Sequence, residues 1–220
     1  MNFDKIRELV RNNKHLTILF YYIVMWFGYN YLNQTTVPDI YLYHPIDSKI
    51  PFVKEMVVPY VLWYLYIFVP LAYFAFKSPD DFRKLCMFMF TGMTISYLIF
   101  YLVPNGQNLR PIITETDVFS RIINSIYSTD RPTNSLPSMH VILSVAVNAS
   151  IYNSTILAKF KKLKLFSMLL CILICASTVF IKQHSILDVV AGLIVSSLLY
   201  SRIYSPHYSI KPIGELFNQI

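Results

Sequence analysis

The chain has 220 residues and a formal net charge of +7; 55% of it is hydrophobic, only 14% is charged, and it contains 5 glycines. A soluble domain carries about a quarter charged residues, so the apolar surplus needs lipid as solvent and points to one polytopic membrane domain over residues 1–220. The positive charge does not mark a nucleic-acid binder, because the basic residues sit between apolar runs, where they act as topology signals.

A spanning helix needs about 20 mainly apolar residues. Six stretches qualify, roughly 16–32, 57–76, 85–103, 139–157, 165–181 and 187–204, and they predict an all-α membrane bundle of six transmembrane helices. The first follows Lys5, Arg7, Arg11 and Lys14, as a signal peptide would, but no small-residue cleavage site comes after it. An uncleaved anchor is the better reading.

Alternate connections then carry Lys77, Arg83 and Lys84; Lys159, Lys161, Lys162 and Lys164; and Arg202 with Lys211. These outnumber Lys49, Lys54, Arg110, Arg121, Arg131 and Lys182 on the opposite side. The positive-inside rule places both termini in the cytoplasm of a multi-pass cell-membrane protein. Connections 33–56 and 104–138 then face outward, and both are longer than a helix link needs, a common mark of function. Ahead of the second span, Ile46-Asp47-Ser48-Lys49 leads to Tyr60, Trp63 and Tyr64, which read as an interfacial anchor or as the mouth of a lipid site.

Several polar or reactive groups read as bland. Cys86, Cys171 and Cys175 lie inside apolar segments without C-x-x-C spacing or a nearby histidine, and are expected to behave as small apolar side chains. Asn33-Gln34-Thr35 fits a glycosylation sequon but hugs a helix end, which argues against its use. His15, His44 and His207 read as solvated or interfacial.

Two histidine clusters stand out at the outer ends of apolar stretches. His184 and Asp188 are spaced to share one helix face. The carboxylate can fix the imidazole tautomer and leave the other nitrogen free to attack as a nucleophile; a capping polar pair is the alternative. In Ser135-Leu136-Pro137-Ser138-Met139-His140, Ser135 is the expected N-cap and Pro137 suits the first turn. The N–H groups of Ser138, Met139 and His140 would then form an anion site at a helix start. Ser138 adds a hydroxyl, and His140 can protonate a leaving oxygen as general acid; an ordinary capped helix is the alternative. Arg110 offers a planar guanidinium for phosphate, while Lys182 and Arg131 add charge either to that site or to a headgroup-facing surface.

Together these pieces resemble the type 2 phosphatidic acid phosphatase superfamily, whose signature is Lys-x6-Arg-Pro, Pro-Ser-Gly-His and Ser-Arg-x5-His-x3-Asp. Here Arg110-Pro111 matches with Val103 in the lysine position, Pro137-Ser138-Met139-His140 matches with Met139 for glycine, and Ser177-Thr178 leads to His184 and Asp188 with Thr178 for arginine. The resemblance covers about residues 57–204, the expected catalytic core, and its departures look more like the inositolphosphotransferase and sphingomyelin synthase branch, or like bacterial lipid phosphatases of unassigned substrate.

The resemblance implies a cofactor-free, metal-free lipid phosphatase. It would act on a lipid phosphate or diphosphate at the outer leaflet through a phosphohistidine on His184, with Asp188 orienting, His140 as acid, and Arg110, Ser138 and the Met139 N–H holding the phosphoryl group. A headgroup phosphotransferase using the same residues is the close alternative. A non-catalytic or transporter-like bundle is a further one, supported by the two absent cations and opposed by the ordered histidines and Asp188.

Overall fold

The computed structural model describes residues 14–205. A 3-10 turn, Lys14–Leu19, leads into α1 (Phe20–Thr35), followed by β1 (Ile40–Tyr41) and α2 (Pro45–Lys49). A second 3-10 turn, Lys54–Met56, precedes α3 (Val57–Lys77), then α4 (Pro79–Leu102) and β2 (Asn105–Gly106). The chain continues through α5 (Val118–Thr129), α6 (Met139–Asn153), α7 (Lys161–Phe180) and α8 (Ile186–Ile203).

Local chemistry places the helix starts. The Ser78 hydroxyl accepts from the Asp81 N–H while Pro79 fills the first turn, where its missing N–H costs nothing. Asp117 accepts from the N–H groups of Phe119 and Ser120 to begin α5. Ser185 and Asp188 cap α8 reciprocally, each side chain taking the other's backbone N–H. α5 was not foreseen within the connection 104–138, although Val118, Phe119, Ile122, Ile123, Ile126 and Tyr127 recur at helical spacing. It lies against the start of α3, sharing a cluster of Val57, Tyr60, Ile123 and Ile181.

At the centre is α6, with Val141, Ile142, Leu143, Ala146, Val147, Ala149 and Ile151 all buried. Apolar residues on every side suit a helix walled in by others rather than exposed to lipid; α3, α4, α7 and α8 surround it. Its far end is held by the Ser154 hydroxyl, which donates to Asp81 at 2.7 Å. α1 runs between the same two ends: His15 Nε2 is 2.7 Å from the Ala75 carbonyl, and the Asn134 amide donates to the Leu32 carbonyl at 3.0 Å.

Four helical segments, Lys54–Lys77, Pro79–Leu102, Lys161–Phe180 and Ile186–Ile203, are long and apolar enough to cross a membrane. Four of the six expected spans are matched by these segments, and the other two expected stretches form shorter helices. α1 has 16 residues and α6 has 15, short of the roughly 20 a bilayer asks for. The expected fourth span, 139–157, stops early because the helix ends at Asn153, with Ser154 turned into an extended conformation. Lys5, Arg7, Arg11, His207 and Lys211, used in the topology argument or set aside with the histidines, lie outside the described residues.

The connections at the histidine end are knitted together. β1 and β2 pair in parallel, Ile40 with Asn105 and Tyr41 with Gly106, and Gly106 also bridges Thr133. A Cβ on Gly106 would stand 2.6 Å from the Pro132 carbonyl oxygen, so three strands of chain meet only over a bare α-carbon. Gly192 serves α8 in the same way: a Cβ there would lie 3.0 Å from the Ser138 carbonyl oxygen and 3.0 Å from Val141 Cβ. Its absence lets α8 close against the first turn of α6. Gly192→Val should therefore destabilise the protein by about 1–3 kcal/mol, the usual effect of overpacking, read as a lowered melting temperature in detergent micelles; an unchanged melt would contradict this close contact.

Candidate active site

The first turns of α6 and α8 lie side by side at one end of the bundle. The Ser138 N–H donates to the Asp188 carbonyl at 3.0 Å, joining the two histidine-bearing segments directly. Ser138, fully buried, is the cap of α6: its hydroxyl accepts from the Val141 N–H at 3.5 Å. This corrects the assignment of Ser135 as N-cap, and it removes the Ser138 N–H from the expected set of free donors. Those of Met139 and His140 remain, because the first N–H groups of a helix have no carbonyl behind them.

Asp188 is fully buried, and its Oδ2 accepts from the Ser185 N–H at 3.0 Å and stands 3.0 Å from His184 Nδ1. The opposite nitrogen of His184, Nε2, is 3.4 Å from His140 Nδ1. With Nδ1 committed to the carboxylate, Nε2 carries the lone pair, and it lies within hydrogen-bond reach of the His140 ring, so the two imidazoles border one another directly. The turn that carries His184 is held from behind by the Thr178 carbonyl, which accepts from both Gln183 and His184 N–H groups at 2.9 and 3.0 Å. Lys182 takes a positive φ of 54° to make that turn.

His140 is flanked by two rings of α3, with centroids 4.7 Å away at Tyr60 and 4.4 Å away at Trp63. Tyr60 is 2% exposed. The interfacial-anchor reading therefore fails for it, since a belt residue would face the headgroups. Tyr64, more than half exposed, keeps a position such a role allows.

The three expected cations do not converge on the histidines in the same way. Lys182 donates to the carbonyls of Asp47 and Ile50 at 2.8 and 2.6 Å, and burial pulls its ammonium below the ordinary lysine range against the opposing charge of Asp47. Arg131 donates to the Asn33 and Gln34 carbonyls at the end of α1. Both are engaged by backbone carbonyls, Lys182 through Nζ and Arg131 through Nη1. The physical reason is the same in each case: helix ends and sharp turns leave orphan carbonyls, and a long cation nearby satisfies them.

Arg110 is largely spent as well. Its Nη atoms donate to the Tyr127 and Asp130 carbonyls at 3.1 and 2.7 Å, and the guanidinium lies 4.4 Å above the Tyr127 ring. Only Nε is without a protein partner. Tyr127 donates in turn to the Ile181 carbonyl at 2.6 Å, and Gln183 donates to Asp130 at 2.9 Å, so this brace ends on the His184 turn. Val103 closes α4, and Thr178 is buried with its hydroxyl on the Cys175 carbonyl; no cation stands at either position.

Sequence reasoning missed three residues that shape this end. Asn105 accepts from the N–H groups of Ser135 and Leu136, both at 2.9 Å, holding the approach to Ser138. Gln107, fully buried, donates to the Lys182 carbonyl at 3.0 Å. Asp47 is 1% exposed and bonds to the start of α8. The turn pair Asn105-Gly106 was a local signal; no local pattern reveals a partner 138 residues away. Among the described residues, no group of three or more His, Cys, Asp or Glu side chains is placed to hold a metal ion.

A family model described as the PAP2 superfamily matches residues 56–209, more than half of the chain. No curated protein and no solved structure matches it.

Because Arg110 ties the Tyr127 and Asp130 carbonyls at the end of α5, Arg110→Ala should lower the melting temperature of substrate-free protein, with about 1.5–3 kcal/mol lost for charge-assisted hydrogen bonds. A melt equal to wild type would leave Arg110 without this bracing role.

Proposed function

The chain belongs to the PAP2 superfamily, and on that premise we propose that it is a membrane-embedded lipid phosphatase that works through a phosphohistidine on His184. The observation that carries the reading is the line Asp188–His184–His140, with spacings of 3.0 and 3.4 Å, at the mouth of two helix starts. Family membership brings phosphatase-type chemistry on phosphate esters, and four helices apolar enough to cross a membrane favour a lipid-borne ester.

His184 Nε2 attacks phosphorus; the N–P bond forms as the bond from phosphorus to the lipid oxygen breaks. His140 gives its proton to that departing oxygen. Asp188 holds Nδ1–H, which keeps the nucleophilic nitrogen aimed and steadies the charge that grows on the ring. The N–H groups of Met139 and His140, the positive end of the α6 dipole and Arg110 Nε stabilise the phosphoryl oxygens. Water then attacks phosphorus, yielding its proton to His140, and the N–P bond breaks to release phosphate and restore both rings. Splitting a very slow hydrolysis into two assisted steps gives preorganised charge its leverage. The positive-inside argument over the six expected segments supports an outer-leaflet position for this end of the bundle.

His184→Ala should abolish phosphate release from phosphatidic acid in detergent micelles and remove any acid-labile, phosphate-labelled protein; retained release would sink the nucleophile assignment. His140→Ala should cost far less with p-nitrophenyl phosphate, whose leaving group needs no proton, than with a lipid phosphate. An equal loss on both would exclude His140 as the acid. Chromatography of the products separates free phosphate, which this reading expects, from a new phosphodiester, which would instead make the enzyme a headgroup phosphotransferase.

A further inference from the structure

We infer that Asp47, which lies outside the residues matched by the family model, is a positioning residue that holds the reacting His184–Asp188 pair in register. The inference rests on the proposed roles of those two residues. Asp47 is 1% exposed, and its carboxylate is fully engaged. Oδ2 accepts from the Ser185 hydroxyl at 2.6 Å, and Oδ1 accepts from the Ile186 N–H at 2.9 Å. Its backbone carbonyl accepts from Lys182 Nζ at 2.8 Å. A single residue therefore grips the chain on both sides of His184.

The grip is built rather than incidental. α2 is one turn long, begun by Pro45 and closed by a capping box in which the His44 N–H donates to Asp47 Oδ2 at 2.8 Å. That turn fixes the carboxylate, and Lys182 anchors the following carbonyl of Ile50 at 2.6 Å. On the other side, Ser185 and Ile186 supply the orphan donors at the start of α8. Asp188 already takes the Ser185 N–H and faces His184 Nδ1 through the same oxygen, Oδ2.

Two carboxylates thus divide the donors of one helix start. With Asp47 gone, the Ser185 hydroxyl and the Ile186 N–H are buried without an acceptor, and Asp188 is the acceptor left on that turn. Its Oδ1 has no protein partner, and turning that oxygen towards them rotates Oδ2 away from His184. The consequence falls on the chemical step more than on lipid binding, because the misplaced group is the nucleophile and not a headgroup contact.

The test compares Asp47→Ala and Asp47→Asn with wild type in detergent micelles, using phosphatidic acid as substrate. Tyr66→Phe, which removes a hydroxyl bonded to Ser167 in mid-bundle, serves as the destabilised control. Asp47→Ala should lower kcat by tenfold or more with KM within about twofold; Asp47→Asn, which keeps one acceptor, should recover part of the loss. In spectra of protein labelled with 15N-histidine, the downfield Nδ1 proton of His184 should move or broaden in both variants and not in Tyr66→Phe. Wild-type kcat in both Asp47 variants, a loss confined to KM, or an unmoved His184 proton would overturn the inference. If wild-type protein releases no phosphate from this lipid, the proposed function fails, and the His184 proton alone decides for or against Asp47.

Discussion

The fold at this end of the bundle depends on Asp188. Its carboxylate takes the N–H of the Ser185 cap and faces His184, and its carbonyl takes the N–H of Ser138, the cap of the neighbouring helix. A fully buried carboxylate is costly unless it is paired and hydrogen-bonded. Here a histidine, a backbone N–H and the positive end of the α8 dipole offset that cost. The same bonds that make burial tolerable also set the histidine's tautomer, so stability and aim come from one arrangement.

Around it, orphan carbonyls compete for cations. Lys182, Arg131 and much of Arg110 are taken up by the ends of helices and turns, where a carbonyl without a partner would otherwise be left. The positions where the family signature has lysine and arginine hold Val103 and Thr178. On the proposed reading, stabilisation at the histidines would fall less to side-chain cations and more to backbone N–H groups and a helix dipole. Such dipoles need no flexible side chain to be ordered at the moment of reaction, which is the property preorganisation requires.

The central helix explains how a short element still joins both ends. α6 is shielded from lipid by four neighbours, so nothing demands that it match the bilayer thickness. It is held by polar contacts at each end instead, through Ser138 and Ser154. Close approach is allowed by Gly192 on α8 and by a Gly92 opposite Ile142 on α4. Small residues at helix contacts are a common solution where neighbouring hydrocarbon provides no hydrophobic drive.

Much of this was written in the linear order of residues. Apolar run lengths marked the helical segments, because helical periodicity is a local property of sequence. The His184–Asp188 contact was expected from one helix face, but His184 sits in the turn just before the Ser185 cap of α8 and meets Asp188 from there. The pairing of His140 with His184, 44 residues apart, was an expectation that rested on family resemblance. What only the tertiary structure decided was which long side chains are free. Ser138 rather than Ser135 caps α6, Lys182 and Arg131 turn to carbonyls, and Asp47 reaches the start of α8. Each of these is a competition for hydrogen-bond partners that become neighbours only on folding, and a buried donor or acceptor takes whichever partner the packed chain brings within reach.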